Sequence, residues 1–329
     1  MFRLTLLIIV IFFKSCCGLF NPFYFIAEYT YCQLPNVECC SSSSISPNLV
    51  ALEEDLRKNL YGQHIVIQQI IPALRSHFHK NVESSKPLVI SFHGGSGTGK
   101  NFVAKMIAKH IYSYDLQSKF VHQFGKSDFP VEADVNKYKV YIKDKVLSEV
   151  RKCPHSMFIF DEIHLLPKGV FEAISTFLDY HNNVKDADFS KAIFIFLTNN
   201  AGEEILDKLY ELRSLGVERD STEHHHFEEI LEIGAYALNG GLQGCSLLKA
   251  NLIDHFVPFL PLEKKHVRKC IITEYFRWKV NPTERSISEI LSNYVVYDPH
   301  HHLYVDGGCK RVDGKVRIDV MNNYRVHKT

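Results

Sequence analysis

An excess of charge of either sign is missing from this chain. Its 38 Lys and Arg nearly balance its 37 Asp and Glu, the formal net charge is +1, and the basic residues form no run. That removes bulk electrostatic attraction to nucleic acid as the basis of function. A long apolar run is missing too. Residues 4–13 (LTLLIIVIFF) fall short of the roughly 20 residues that a membrane-spanning helix needs. No two cysteines have the Cys-x-x-Cys spacing of a zinc site. No Asn-x-Ser/Thr acceptor exists, because Asn281-Pro282-Thr283 is spoiled by its proline. No internal repeat is visible, which sets repeat arrays aside.

What is present fits a soluble α/β protein. The 329 residues can hold one large domain and a smaller one, and 46% hydrophobic content is ample for a core. The first 18 residues read as a signal peptide. Arg3 supplies the positive end, residues 4–13 the apolar core, and Ser15-Cys16-Cys17-Gly18 the small residues at a cleavage site. The competing reading is an uncleaved anchor. A second apolar patch, residues 19–27 (LFNPFYFIA), suits a membrane surface. Removing Cys16 and Cys17 leaves seven of the nine cysteines: Cys32, Cys39, Cys40, Cys153, Cys245, Cys270 and Cys309. In a secretory compartment some of these should pair, and the odd number leaves one over.

A Ser-rich break at 41–47 ends the Cys-rich segment 19–48. Leu49, Leu52, Leu56 and Leu60 then mark one face of a helix. The apolar runs at 87–92, 157–160 (MFIF) and 193–197 (IFIFL) read as strands buried on both faces, hence a parallel sheet with helical crossovers. A helix is expected over 101–113. Beyond Leu262 strand signals stop, and 263–278 and 283–295 read as helices. The expected division is a large α/β domain at 49–262 and a small helical one at 263–329.

The chemistry-bearing stretch is SFHGGSGTGKNF (91–102). A strand enters a Gly-rich turn, and a lysine opens the following helix. Gly94, Gly95, Ser96, Gly97, Thr98 and Gly99 would present backbone N–H groups to phosphate at a helix N-terminus. Lys100 would reach the β- and γ-phosphates. The position that usually holds a magnesium-binding hydroxyl holds Asn101, whose amide oxygen is a weaker ligand. SMFIFDEIH (156–164) is a second motif. Asp161 would hold Mg2+, and Glu162 would act as general base on the attacking water. In IFIFLTNN (193–200), Asn199 suits orientation of that water, with Asn200 as the alternative.

In this order the elements resemble a Clp-type AAA+ ATPase and, more narrowly, a torsin. NLYGQH (59–64), GGSGTGKNFV (94–103), FIFDEIH (158–164), FLDY (177–180), FIFLTNN (194–200), NLIDHFVPFLPLEKKH (251–266) and GGCK (307–310) carry the resemblance across residues 29–310. Torsins are the group whose phosphate loop ends in Asn. The resemblance implies an AAA+ P-loop domain followed by a helical lid, and ATP and Mg2+ as cofactors. Gly62, Gln63, His64 and Ile65 would line the adenine pocket, with Phe102 beside the loop. Asn199 would be sensor 1 and Lys310 sensor 2. Cys270 and Cys309 resemble a pair that can form a disulfide near the nucleotide and make the ATP response redox-dependent. The resemblance also implies the endoplasmic reticulum lumen and nuclear envelope, peripheral membrane association, and a ring or filament. It implies an activator whose lumenal domain supplies an arginine finger. The Clp arginine position here holds Leu252, so weak intrinsic turnover is expected. Arg213 or Arg219 could substitute, although surface charge is the simpler role for both. Gly95 stands where torsins carry an aromatic residue, and RVDGKVRIDV (311–320) reads as less helical than the family requires.

The sequence also admits two rival readings. Asp161-Glu162-Ile163-His164 spells a DExH helicase motif, but a basic groove is absent. A nucleotide-gated binding protein without turnover is the other reading. His224-His225-His226 and His300-His301-His302 invite a metal, yet neighbouring residues on one element cannot all point one way, so solvated loops are expected. Phe124-Gly125 is not a convincing pore motif.

Overall fold

The computed structural model describes residues 32, 37–79, 81, 84–180, 183–184, 186–237, 241–242, 251–298 and 302–323. The expected signal peptide, the 19–27 patch, Cys245, His300 and His301 lie outside them. Two units are distinguished, Met1–Ile45 and Ser46–Thr329. Within the first, Cys32 and Cys39 form a disulfide.

The second unit opens with helices α1 (Leu49–Asn59) and α2 (His64–His77). The Asn48 side chain caps α1 by accepting from the Ala51 N–H at 3.1 Å. Strand β1 (Leu88–His93) leads into α3 (Lys100–Ile111), then β2 (Val121–Phe124), α4 (Val135–Lys152) and β3 (Met157–Phe160). The one-turn helix α5 (Ser175–Leu178) precedes a two-stranded pair, β4 (Asn183–Val184) and β5 (Ala187–Asp188). Strand β6 (Ile193–Thr198), helices α6 (Gly202–Ser214) and α7 (Glu228–Ala237), and strand β7 (His255–Pro258) follow.

The central sheet has the order β2-β3-β6-β1-β7, and every pair is parallel. All residues of β1, β3 and β6 are buried, as a sheet covered on both faces requires. Register aligns Phe124 with Phe160 and Phe160 with Phe196. Their rings stack across three strands at 4.9 and 5.3 Å, adding ring–ring attraction to burial. Ile142, Val146 and Val150 of α4 belong to the same core. Phe124 is therefore core, 4% exposed, which removes it from any pore role.

Two expectations about the C-terminal part are corrected. Strands do continue past Leu262: β8 (Leu262–Glu263) pairs antiparallel with β9 (Tyr304–Val305). Two-residue strands are too short to show a period. Helices α8 (Lys264–Arg277) and α9 (Glu284–Tyr294) fall where the sequence placed them. Residues 311–320, read as weakly helical, lie almost wholly in α10 (Val312–Asn323). Gly314 and the valines have low helix propensity, but Val312, Val316 and Val320 are buried one turn apart, and packing overrides propensity. They share a separate core with Val267, Ile271, Tyr275, Ile287 and Leu291. Among the described residues no helix is long and apolar enough to cross a membrane.

Candidate functional site

Strands β1, β3 and β6 end side by side, and their carboxyl ends supply Gly94 onward, Asp161-Glu162 and Asn199. In an open parallel sheet this edge is where ligands collect. A cleft of about 300 Å³ opens there. It is lined by Ser96, Gly97, Gly99, Lys100, Asn101 and Phe102 from the loop, with Asp161, Glu162, His164 and Asn199 across from them and Cys309 and Lys310 closing one side.

The loop is held by contacts that only its residues permit. Gly97 has φ 72°, and a Cβ there would stand 1.9 Å from the Gly307 carbonyl oxygen. The Cys309 N–H donates to the Gly97 carbonyl at 3.1 Å. Cys309 is in turn bonded to Cys270 of α8, so helix, turn and loop are joined. Lys100 opens α3 and is buried at 7% exposure, its ammonium donating to the Gly94 and Gly95 carbonyls at 2.5 and 2.8 Å. Burial lowers its pKa to about 8, against the opposing pull of the Asp161 carboxylate; Lys310 adds to the lowering. A Cβ on Gly95 would meet nothing within 4 Å.

The Asn101 amide donates to Asp161 Oδ2 at 2.7 Å. The loop and the end of β3 are thus bridged. The Glu162 N–H donates to Asp161 Oδ1 at 2.9 Å. Glu162 itself has φ 51°, a left-handed conformation that costs a non-glycine residue of order 1 kcal/mol and clusters at functional sites. Asn199 faces the cleft, with its N–H and its Nδ2 each 3.4 Å from a His164 ring nitrogen. Asn200 instead donates its N–H to Thr198 Oγ1 and serves the turn. His164 is the residue that sequence reasoning passed over, since it appeared only as the last letter of a helicase-like motif. Burial lowers its pKa, against the nearby Glu162 carboxylate.

Other expected residues sit elsewhere. Thr98 is 5% exposed, with its hydroxyl donating to the Gly95 carbonyl. Gly62, Gln63, His64 and Ile65 do not line the cleft. Ile65 is 1% exposed in an apolar cluster with Ala201, Leu260 and Tyr304, and His64 Nε2 lies 2.7 Å from the Thr222 carbonyl. Arg219, read as surface charge, is buried at 5% exposure, donating to the Gly62 and Pro261 carbonyls. Its guanidinium holds backbone together. Arg213 is exposed. Leu252, expected at the arginine position of the Clp pattern, is 2% exposed and belongs to the same core as Ile142 and Val146. His224 Nε2 lies 2.7 Å from the Phe256 carbonyl.

Comparison with known proteins follows the same line. The Torsin family model matches residues 32–160. A Torsin-like protein of Drosophila melanogaster is 42% identical over 298 residues, 89% of this chain and 87% of that one. A Torsin-like protein of Caenorhabditis elegans is 36% identical over 287 residues, 86% of this chain and 80% of that one. Among solved structures, the S. cerevisiae Hsp104–ADP complex is similar at TM-score 0.55 and 19% identity, covering 91% of this chain and 53% of that chain. That likeness shows the fold, the α/β fold of AAA+ proteins. Identity of this depth over most of both chains decides the family: this chain belongs to the torsins.

Proposed function

We propose that the chain binds ATP with Mg2+ in this cleft and hydrolyses it slowly until a partner supplies an arginine. The observation that carries the reading is the meeting of Lys100, Asn101, Asp161, Glu162 and Asn199 around one cleft. The donor set fits a magnesium nucleotide. Lys100 and the first N–H groups of α3 face the phosphate side, and the Asp161 carboxylate with the Asn101 amide offers hard oxygen ligands. Bound magnesium would neutralise charge developing on the phosphates. Lys100 would move from the loop carbonyls to phosphate oxygen. Glu162 would take the proton of the attacking water, and Asn199, steadied by His164, would orient that water. Lys310 would approach from the C-terminal turn.

Leu252 leaves the trans-acting arginine to another protein, in keeping with the resemblance. The reading extends to an endoplasmic reticulum and nuclear-envelope location, to self-association, and to remodelling of membrane or nuclear-envelope protein complexes. It rests there on family membership and on the expected signal peptide. Redox state would enter through Cys270–Cys309, because reduction frees the turn that touches Gly97. The Asn101–Asp161 bond also suits a nucleotide-gated binder that never turns over. Glu162→Gln separates the two. With a general base removed, turnover should fall about 10²–10⁴-fold while ATP stays bound, and the variant should retain lumenal partners in pull-downs. Hydrolysis at the wild-type rate by the variant would remove Glu162 from the chemistry.

A further inference from the structure

One buried side chain of NLYGQH touches the phosphate loop without entering the cleft. Gln63 precedes α2 and is 1% exposed. Its Nε2 donates to the Leu260 carbonyl at 2.8 Å, and its Oε1 accepts the Leu260 N–H at 2.9 Å. The amide thus pairs with Leu260 as a strand neighbour would, which fixes which end is oxygen. The second Nε2 hydrogen goes to the Thr98 carbonyl, inside the phosphate loop, at 3.0 Å. Leu260 lies between β7 and β8, where the chain leaves the sheet for the C-terminal helices. Arg219 grips the next carbonyl, Pro261, and also the Gly62 carbonyl beside Gln63.

We propose that Gln63 is a positioning residue that ties the phosphate loop to the Leu260–Pro261 strap, so that nucleotide on the loop sets how the C-terminal helical unit is seated. The proposal rests on the nucleotide reading above. It gives Gln63 a role other than adenine contact. Both segments share one amide, and a shift of the Thr98 carbonyl on phosphate binding reaches Leu260 through a few bonds. Arg219 holds the strap without touching the loop, so it anchors but does not couple.

Hydrogen exchange on the full chain, with and without MgATP, tests this. In the wild type, MgATP should slow exchange over 94–103, at the Leu260 amide and over 262–277. In Gln63→Met, similar in volume but without the amide, protection over 94–103 should persist with affinity within about tenfold, and protection over 260–263 should vanish, while α8 keeps what reaches it through Cys309 and Cys270. Arg219→Lys should speed strap exchange equally with and without nucleotide. Unchanged nucleotide protection of both spans in Gln63→Met would overturn the proposal. So would loss of both with affinity down more than about hundredfold, which would make Gln63 part of the nucleotide contact itself. Should Gln63→Met fail to fold, the wild-type Leu260 amide decides: slowing with MgATP supports the tie, and indifference to MgATP overturns it. Absence of protection over 94–103 in the wild type would sink the nucleotide reading, a separate result.

Discussion

At the residue scale, Lys100 shows how fold and chemistry oppose each other. Burial favours its neutral form, and its pKa falls from 10.5 to about 8. A lysine depressed in the folded state binds its proton more weakly there than in the unfolded chain. Folding therefore carries a cost below pH 8, which is relieved as pH rises from about 8 to 10.5. Nucleotide binding runs the other way, because phosphate needs the ammonium. ATP affinity should fall as pH rises past about 8, and the fall should disappear in Lys100→Met, which should bind ATP weakly at every pH. Fluorescent-nucleotide titrations between pH 6.5 and 9.5 would show both. Residue type and order made Lys100, Asp161, Glu162 and Asn199 legible in the sequence. His164 and Gln63 were not, because their roles depend on which backbone atoms face them, and no spacing in the chain records that.

At the element scale, strands β1, β3 and β6 were readable because a strand buried on both faces is nearly all apolar. Strand β2 (VHQF) has a half-buried and an exposed residue at its centre, and β7 (HFVP) ends in proline, so neither shows that signal. Helix α2 carries Pro72 inside it and breaks its own pattern. The contact of the phosphate loop with the 307–309 turn was equally invisible, being backbone against backbone. It makes Gly97→Ala informative. The new Cβ would meet the Gly307 oxygen, and the positive φ adds strain. Nucleotide affinity should fall at least about tenfold with the sheet intact by circular dichroism. Gly95→Ala, with open space around it, should be tolerated. The Cys270–Cys309 bond closes a separation of 39 residues. Losing this one bond in Cys270→Ser should cost roughly 3–4 kcal/mol of stability on the chain-entropy account. Thermal melts of the variant and the wild type, both without reductant, would read that loss.

At the scale of the whole molecule, neutral histidines that are buried or half-buried set an acid limit. Burial lowers the pKa of His93 to about 3 and those of His77, His122 and His266 to about 4. Each would be protonated near pH 6.5 once unfolded. The unfolded chain therefore binds more protons between these values, and stability should decline as pH drops below about 6.5 toward 4. Denaturant midpoints measured across that window should fall steadily, and a flat profile would contradict the burial. The two cores, one around the phenylalanine ladder and one among α8–α10, frame the cleft between Asp161 and Lys310. On the proposed reading, the buried Leu252 stands where a Clp protein carries its arginine, so the arginine has to come from a partner. The most direct test is the steady-state ATPase rate of the wild type, alone and with a lumenal partner domain bearing a candidate arginine. The account predicts slow turnover alone, acceleration on the order of 10³-fold or more with the partner, and loss of that acceleration when the partner's arginine is replaced. Full turnover by the isolated chain, unchanged by the partner, would contradict it.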